Sequence, residues 1–290
     1  MFSHGILVPF VSLWLLWRKL QEGLAAQARV CPWAALLLIV ATLLWLFGSV
    51  MEASIIQHVA LVSAVQAIVI LVYGPRLYRE ILFPMLFLYL VIPFGSELLG
   101  PLQRQTATMV VWALGVTGVE HQADGVLIQL HNGLYEVAAA CAGLRFLITS
   151  FVTGVLLCHL AFRSWVRRMG IIIAAILVPI LANVVRVFTT LLIAEATDQD
   201  FAKSIDHVVY GWVFLSFVLL ILISGAYRFS DLKDEGNDIP ADGQGGNGGR
   251  FSANFAHWRA HAAFLVFLLP PVASFWMLLG TAPAATCALG

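Results

Sequence analysis

The sequence predicts an all-α polytopic membrane protein with about eight transmembrane helices, a small outward-facing β-hairpin and one helix lying at the membrane interface. Of its 290 residues, 61% are hydrophobic and 11% are charged, whereas soluble domains are roughly 45–50% apolar. The apolar residues form runs near the roughly 20 residues that a helix needs to cross a bilayer. Basic residues recur in every second loop between these runs, which is the pattern of cytoplasmic loops.

The predicted spans cover residues 5–17, 33–50, 55–73, 81–99, 142–162, 169–194, 208–227 and 262–280. The first run is short for a full span. Residues 101–119 are not counted, because polar residues open that segment and its moderate hydrophobicity suits an interfacial helix. Glycine-rich polar sequence before the last run predicts a flexible cytoplasmic linker. The chain therefore divides into residues 1–228, the linker 229–261, and 262–290 with the last helix and a short outward tail.

Loop charge predicts which side of the membrane each loop faces. The cytoplasmic side is marked by basic residues near the span ends: Arg18, Lys19, Arg29, Arg76, Arg79, Arg163, Arg167, Arg168, Arg228 and Lys233. The loops between them are acidic and are predicted to face outward. The longest contains two β-prone runs around Asn132-Gly133, a dipeptide that favours a tight hairpin turn. A β-hairpin is therefore predicted just before the span 142–162.

Composition excludes several function classes. The formal net charge is zero and the basic residues form no stripe, so no nucleic-acid partner is expected. The four cysteines show neither a Cys-x-x-Cys pair nor zinc-site spacing, so no metal or other cofactor is predicted. A thiol oxidoreductase would need two close cysteines, but Cys141 and Cys158 would lie about 25 Å apart along one helix. Membrane lipid is the expected non-protein partner of the apolar spans.

Three residues of different chemistry are predicted at the outward ends of their spans: Cys141, Arg186 and His207. Cys141 follows a stretch of alanines, and at the start of a helix the dipole favours the thiolate form. A cysteine alone is more often buried and inert. A base and a cation nearby are what a thiol nucleophile requires. Glu136 and Arg145 flank Cys141, and a structural ion pair between them is slightly favoured over a direct chemical role.

Arg186 lies inside an apolar span, where an arginine costs on the order of 2.5–3.5 kcal/mol on insertion scales. A function is therefore favoured over a side chain that snorkels or is neutralised by Glu195. Its guanidinium could bind an oxyanion or a substrate carboxylate. Asn183 lies three residues earlier on the same helix face. His207, preceded by Asp206, opens the next span and could exchange a proton.

Three sequence blocks resemble the signature blocks of the exosortases, and most closely those of exosortase A. They are residues 134–148 (LYEVAAACAGLRFLI), 180–188 (ILANVVRVF) and 205–212 (IDHVVYGW). Residues 3–17 resemble the N-terminal region of that family, so the likeness extends from residue 2 to about residue 228. Family members usually have a transmembrane segment before this region, which predicts a truncated gene model or a late start codon. They also commonly have serine where this chain has Ala142.

The resemblance implies a multi-pass cysteine protease or transpeptidase of the bacterial inner membrane, with its site facing the periplasm. Its partners would be exported proteins with a C-terminal Pro-Glu-Pro sorting signal and a transmembrane tail. By position, Cys141 would be the nucleophile, Arg186 the catalytic arginine and His207 the third member. The substrate-binding or supporting residues would be Glu136, Arg145, Asn183 and Asp206. A non-catalytic component of surface-polysaccharide export and a transporter of anionic substrates are the alternatives.

Overall fold

The computed structural model describes residues 4–21, 30–196 and 207–230. The predicted last helix and nearly all of the predicted linker lie outside these ranges. Within the ranges, three helices are long and apolar enough to cross a membrane, or four if one bent pair counts as a single span. The prediction of a helical membrane protein is confirmed at this coarser level, whereas the count of eight spans is not confirmed. The chain divides into two compact units between Ser96 and Glu97.

The first unit contains four helices: α1 (His4–Gln21), α2 (Ala34–Val50), α3 (Ser54–Glu80) and α4 (Leu82–Phe87). Helices α2 and α3 pack against each other, and α1 packs against α4. Helix α3 is bent at Gly74, which has a φ of 82°, a conformation that glycine adopts at no steric cost. Pro75 follows and starts the last helical stretch, so the helix bends just after residue 73, whereas the apolar helix as a whole continues to Glu80.

The predicted span over residues 81–99 is not one continuous helix. Helix α4 ends at Phe87, a 3₁₀ turn covers Leu88–Val91, and Ile92 is extended, with a φ of −62° and a ψ of 131°. Pro93 is the physical reason, because a proline disfavours the helical conformation in the residue before it. The apolar run therefore continues through a break that its hydrophobicity alone does not reveal.

The second unit contains helices α5 (Leu99–Val116), α6 (Leu144–Ala161), α7 (Trp165–Ala196) and α8 (His207–Arg228). Helix α7 packs against α5, α6 and α8, and α8 also packs against α6. The first turn of α6 meets the middle of α8, and the last turns of both helices meet the first turns of α7. Helices α6 and α8 therefore run in the same direction and α7 runs opposite. Helix α5 covers most of the predicted interfacial segment, and one of its faces is buried.

Between α5 and α6 lies an antiparallel sheet with the strand order β1 (Gln122–Asp124), β2 (Leu127–Leu130) and β3 (Gly133–Glu136). The predicted hairpin is confirmed in β2 and β3. Its turn residues are His131 and Asn132, however, and neither has a positive φ. The predicted Asn132-Gly133 turn is therefore wrong by one residue, and the Asn132 side chain forms a tertiary contact with α7. The additional strand β1 turns into β2 at Gly125, which has a φ of 62°.

Candidate active site

Cys141 lies in a tight turn that joins the sheet to α6. Residues Ala139–Cys141 form a 3₁₀ turn, and the amide of Cys141 donates a hydrogen bond to the carbonyl of Ala138 at 2.8 Å. Gly143 follows with a φ of 77°, and helix α6 begins at Leu144. Cys141 therefore precedes the helix, and only 2% of the residue is exposed.

The side chain of Asn183, on α7, contacts both this turn and helix α5. Its Nδ2 donates to the carbonyl oxygen of Cys141 at 2.7 Å and lies 3.4 Å from Oγ1 of Thr106 on α5. Only 1% of Asn183 is exposed. The close approach requires a glycine at position 143, because a Cβ there would lie 2.7 Å from Cγ of Asn183. The small-residue stretch around Cys141 thus admits the side chain of a neighbouring helix.

Arg186 lies one turn further along α7 and is in contact with Asn183. Its Nε and Nη2 donate to Oδ1 of Asn183 at 3.4 and 3.2 Å. Its Cζ lies 5.2 Å from the ring centroid of Phe146, which is a typical cation–π distance. Arg186 is only 8% exposed, so the guanidinium does not snorkel to the surface. It forms no ion pair with Glu195, which is about 13 Å further along the helix at 1.5 Å per residue.

His207 is the first residue of α8 and lies at the end of the bundle where α6 begins. Phe214, about 10 Å further along α8 at 1.5 Å per residue, has its ring centroid 6.1 Å from that of Phe146. The same Phe146 ring contacts Arg186. The fold therefore gathers the Cys141 turn, Arg186 and the start of α8 at one end, while a contact of His207 with the other two remains a prediction. Asp206 lies outside the described residues.

Glu136 and Arg145 lie on either side of the Cys141 turn, at the end of β3 and in the first turn of α6. Both residues are exposed. In the part of the chain that the structure describes, no ion pair joins them. The predicted structural pairing is therefore not formed, and both charges lie at the surface beside the turn.

The sulfur of Cys141 is in a disulfide in this structure, whereas Cys31 and Cys158 are free. Because the thiolate is the nucleophilic form of cysteine, covalent chemistry at Cys141 requires reduction of this bond first. Within the described ranges, no group of three or more His, Cys, Asp or Glu residues is placed to hold a metal ion.

The side chain of Asn132 connects the sheet to α7. Its Nδ2 donates to the carbonyl of Ala194, and its Oδ1 accepts a hydrogen bond from the Tyr135 hydroxyl at 2.9 Å. Burial raises the pKa of Tyr135, and the negative charge of Glu195 raises it further, while the hydrogen bond with Asn132 lowers it. The net shift is upward, so the hydroxyl stays protonated and donates at neutral pH.

Four further residues shape this region and were not predicted as site residues: Gln103, Thr106, Gly143 and Phe146. Gln103 donates from Nε2 to the carbonyl of Val137 at 2.7 Å, between the sheet and the turn. Gly143 has a recognisable signal, since it belongs to the small-residue block, whereas Thr106 and Phe146 look like ordinary helix residues. Their contacts arise only where helices distant in sequence meet.

We expect Gly143→Ala to lower both the stability and the activity of the protein. An alanine at a φ of 77° is strained by about 1–2 kcal/mol, and its methyl group would displace the Asn183 side chain. Thermal unfolding of the purified protein measures the loss of stability. Gly170→Ala and Gly225→Ala are matched controls, because a Cβ at either position meets no atom within 4 Å. If all three variants unfold at the same temperature, the close approach is not required.

Comparison with known proteins identifies the family. The sequence model described as Transmembrane exosortase (Exosortase_EpsH) matches residues 1–224, a range that contains Cys141, Arg186 and His207. Searches of curated proteins and of solved structures found no match. The family match confirms the resemblance noted in the sequence and does not specify subtype A. The chain therefore belongs to the transmembrane exosortase family, whose members are membrane proteins associated with the processing of sorting signals.

Proposed function

We propose that this protein is a membrane cysteine protease or transpeptidase that cleaves C-terminal Pro-Glu-Pro sorting signals of exported proteins. One observation carries the proposal: a single buried carboxamide, Asn183, contacts both the backbone of Cys141 and the guanidinium of Arg186. The residue proposed as nucleophile and a permanent cation thereby share one buried hydrogen-bonding partner. Family membership supplies the substrate class, since exosortases are associated with sorting-signal processing.

The proposed reaction begins with the reduced Cys141. His207 accepts the proton of the thiol, the resulting thiolate attacks the carbonyl carbon of the scissile peptide bond, and the carbonyl oxygen becomes an oxyanion that Arg186 stabilises. Collapse of this intermediate breaks the carbon–nitrogen bond, and His207 donates the proton that the departing amine requires. The substrate is left as a thioester on Cys141. Water or an acceptor amine then attacks the thioester, and the thiol is released.

Surface charge beside the turn suits the proposed signal. Arg145 is exposed in the first turn of α6, and a sorting signal with a central glutamate presents a carboxylate to it. Arg186 is the alternative partner for this carboxylate, in which case it would bind substrate as well as stabilise the oxyanion. The transmembrane tail of the substrate would lie in the lipid beside the apolar helices. The signal would then meet the bundle at the end where α6 and α8 begin.

The proposal locates the protein in the bacterial inner membrane with this end facing the periplasm. We expect single cysteines introduced as His131→Cys or Gln199→Cys, in a variant without native cysteines, to react with a membrane-impermeant maleimide added to intact spheroplasts. A cysteine introduced as Gly246→Cys should react only after the membrane is permeabilised. Labelling of Gly246→Cys in intact spheroplasts would reverse the orientation and place the site in the cytoplasm.

The experiment that tests the proposed activity follows the cleavage of a reporter protein with a Pro-Glu-Pro signal and a transmembrane tail. The protein is expressed with this reporter in cells that lack other sorting enzymes, and the shift in reporter mass is measured. The reporter should be shortened, and a reporter with a scrambled signal should not.

A further inference from the structure

The chemistry of the two groups that Asn183 bridges restricts what can stand between them. The Cys141 carbonyl can only accept hydrogen bonds, and the guanidinium of Arg186 can only donate them. A bridging side chain must therefore offer a donor on one side and an acceptor on the other. A carboxamide does this with Nδ2 toward Cys141 at 2.7 Å and Oδ1 toward Arg186 at 3.2 Å. A carboxylate or a methyl group would fail on at least one side.

Further contacts fix the orientation of the Asn183 carboxamide. Nδ2 also lies 3.4 Å from Oγ1 of Thr106, and the side chain fits against Gly143 with no space for a further carbon atom. The guanidinium of Arg186 also contacts Phe146, with Cζ 5.2 Å from the ring centroid. Asn183 and Phe146 therefore both contact the guanidinium, Asn183 through hydrogen bonds from Nε and Nη2 and Phe146 through its ring.

We propose that Asn183 is a positioning residue, which fixes the guanidinium of Arg186 relative to the backbone of the Cys141 turn. This inference rests on the proposed function. Stabilisation of an oxyanion depends on donors that are already in place before charge develops. If the Asn183 bridge is lost, Arg186 keeps its charge but is no longer held to the turn that carries the nucleophile. The loss should therefore appear in turnover rather than in substrate binding.

The chain offers a matched control for this residue. Gln66, in the first unit, is also a buried carboxamide, and it donates to the carbonyl of Met85 at 2.8 Å and accepts from the Tyr78 hydroxyl at 3.0 Å. It has the same hydrogen-bonding pattern as Asn183, but both of its partners belong to the first unit. Gln66→Ala thus reports the cost to stability of losing a buried carboxamide without touching the site.

The experiment measures kcat and KM for reporter cleavage by reduced, purified protein in lipid nanodiscs. We expect Asn183→Ala to lower kcat roughly 10²-fold, the loss that a small misplacement of a catalytic group causes, with KM changed less than about threefold. Gln66→Ala should lower the unfolding temperature but leave kcat unchanged. Asn183→Asp, which is nearly isosteric, should keep the Arg186 contact, lose the donor to Cys141 and also lower kcat. It serves as the test if Asn183→Ala does not accumulate.

A double-mutant cycle distinguishes positioning from a general loss of structure. If Asn183 acts through Arg186, adding Asn183→Ala to Arg186→Lys should reduce kcat little beyond Arg186→Lys alone. Independent losses that multiply would overturn the proposal, as would wild-type kcat in both Asn183 variants. Cys141→Ala is included in the same assay. If it is active, the proposed function fails; if it is inactive while Asn183→Ala is fully active, only the positioning role fails.

Discussion

Replacement of Cys141 by alanine is expected to abolish reporter cleavage, with processing below the detection limit. No other side chain in the proposed mechanism can form the thioester, so the loss should be complete rather than partial. Cys141→Ser should also be inactive, because a serine hydroxyl does not ionise at neutral pH and so cannot replace the thiolate. Both variants should accumulate in the membrane. Cys141 is nearly fully buried, and both replacement side chains fit into the space of the thiol.

The other described cysteines are the controls for this experiment. Cys158 lies on the same helix α6, where its sulfur donates to the carbonyl of Arg168 at 3.4 Å, and it is free, like Cys31. Cys158→Ala and Cys31→Ala should both process the reporter. The assays include a thiol reductant, because the Cys141 sulfur is in a disulfide in the structure. Normal cleavage by Cys141→Ala would remove the nucleophile assignment and favour a non-catalytic membrane component.

Arg186→Lys is expected to lower kcat by roughly 10²–10³, the usual effect of removing one oxyanion donor, although it retains the positive charge. A lysine has no planar edge that could occupy the position of Nε and Nη2 against Asn183, and its point charge binds an oxyanion without forked geometry.

His207→Ala should slow turnover by roughly 10²–10⁴ through loss of proton transfer, with little change in KM.

The control for Arg186→Lys is another arginine of α7. Arg168, near the opposite end of that helix, donates from Nε to the carbonyl of Phe162 at 2.9 Å. Arg168→Lys removes the same planar group far from the Cys141 turn and should leave kcat unchanged. Full activity of Arg186→Lys together with wild-type turnover of His207→Ala would refute the Cys-Arg-His assignment, although the chain would remain an exosortase by family.

The local features of this protein could be predicted from its sequence. Helices α6 and α7 follow their apolar runs closely, and the hairpin of β2 and β3 forms where β-prone residues flank a turn. Such features depend on hydrophobicity and turn chemistry over a few neighbouring residues. The break after α4 also has a local cause in Pro93, but the uniform hydrophobicity of the run conceals it. The family was recognisable for a related reason, since its blocks are short and contiguous.

Sequence alone predicts that Cys141, Arg186 and His207 lie toward the same ends of their apolar segments. The link between Cys141 and Arg186 depends on tertiary packing, because the contacts of Asn183 reach Cys141 and Thr106, which are 42 and 77 residues away along the chain. The carboxamide bridge, the need for glycine at position 143 and the ring of Phe146 over Arg186 all require helices α5, α6 and α7 to pack side by side. Hydrophobic patterning specifies that such helices form, whereas side-chain packing between them selects which residues meet.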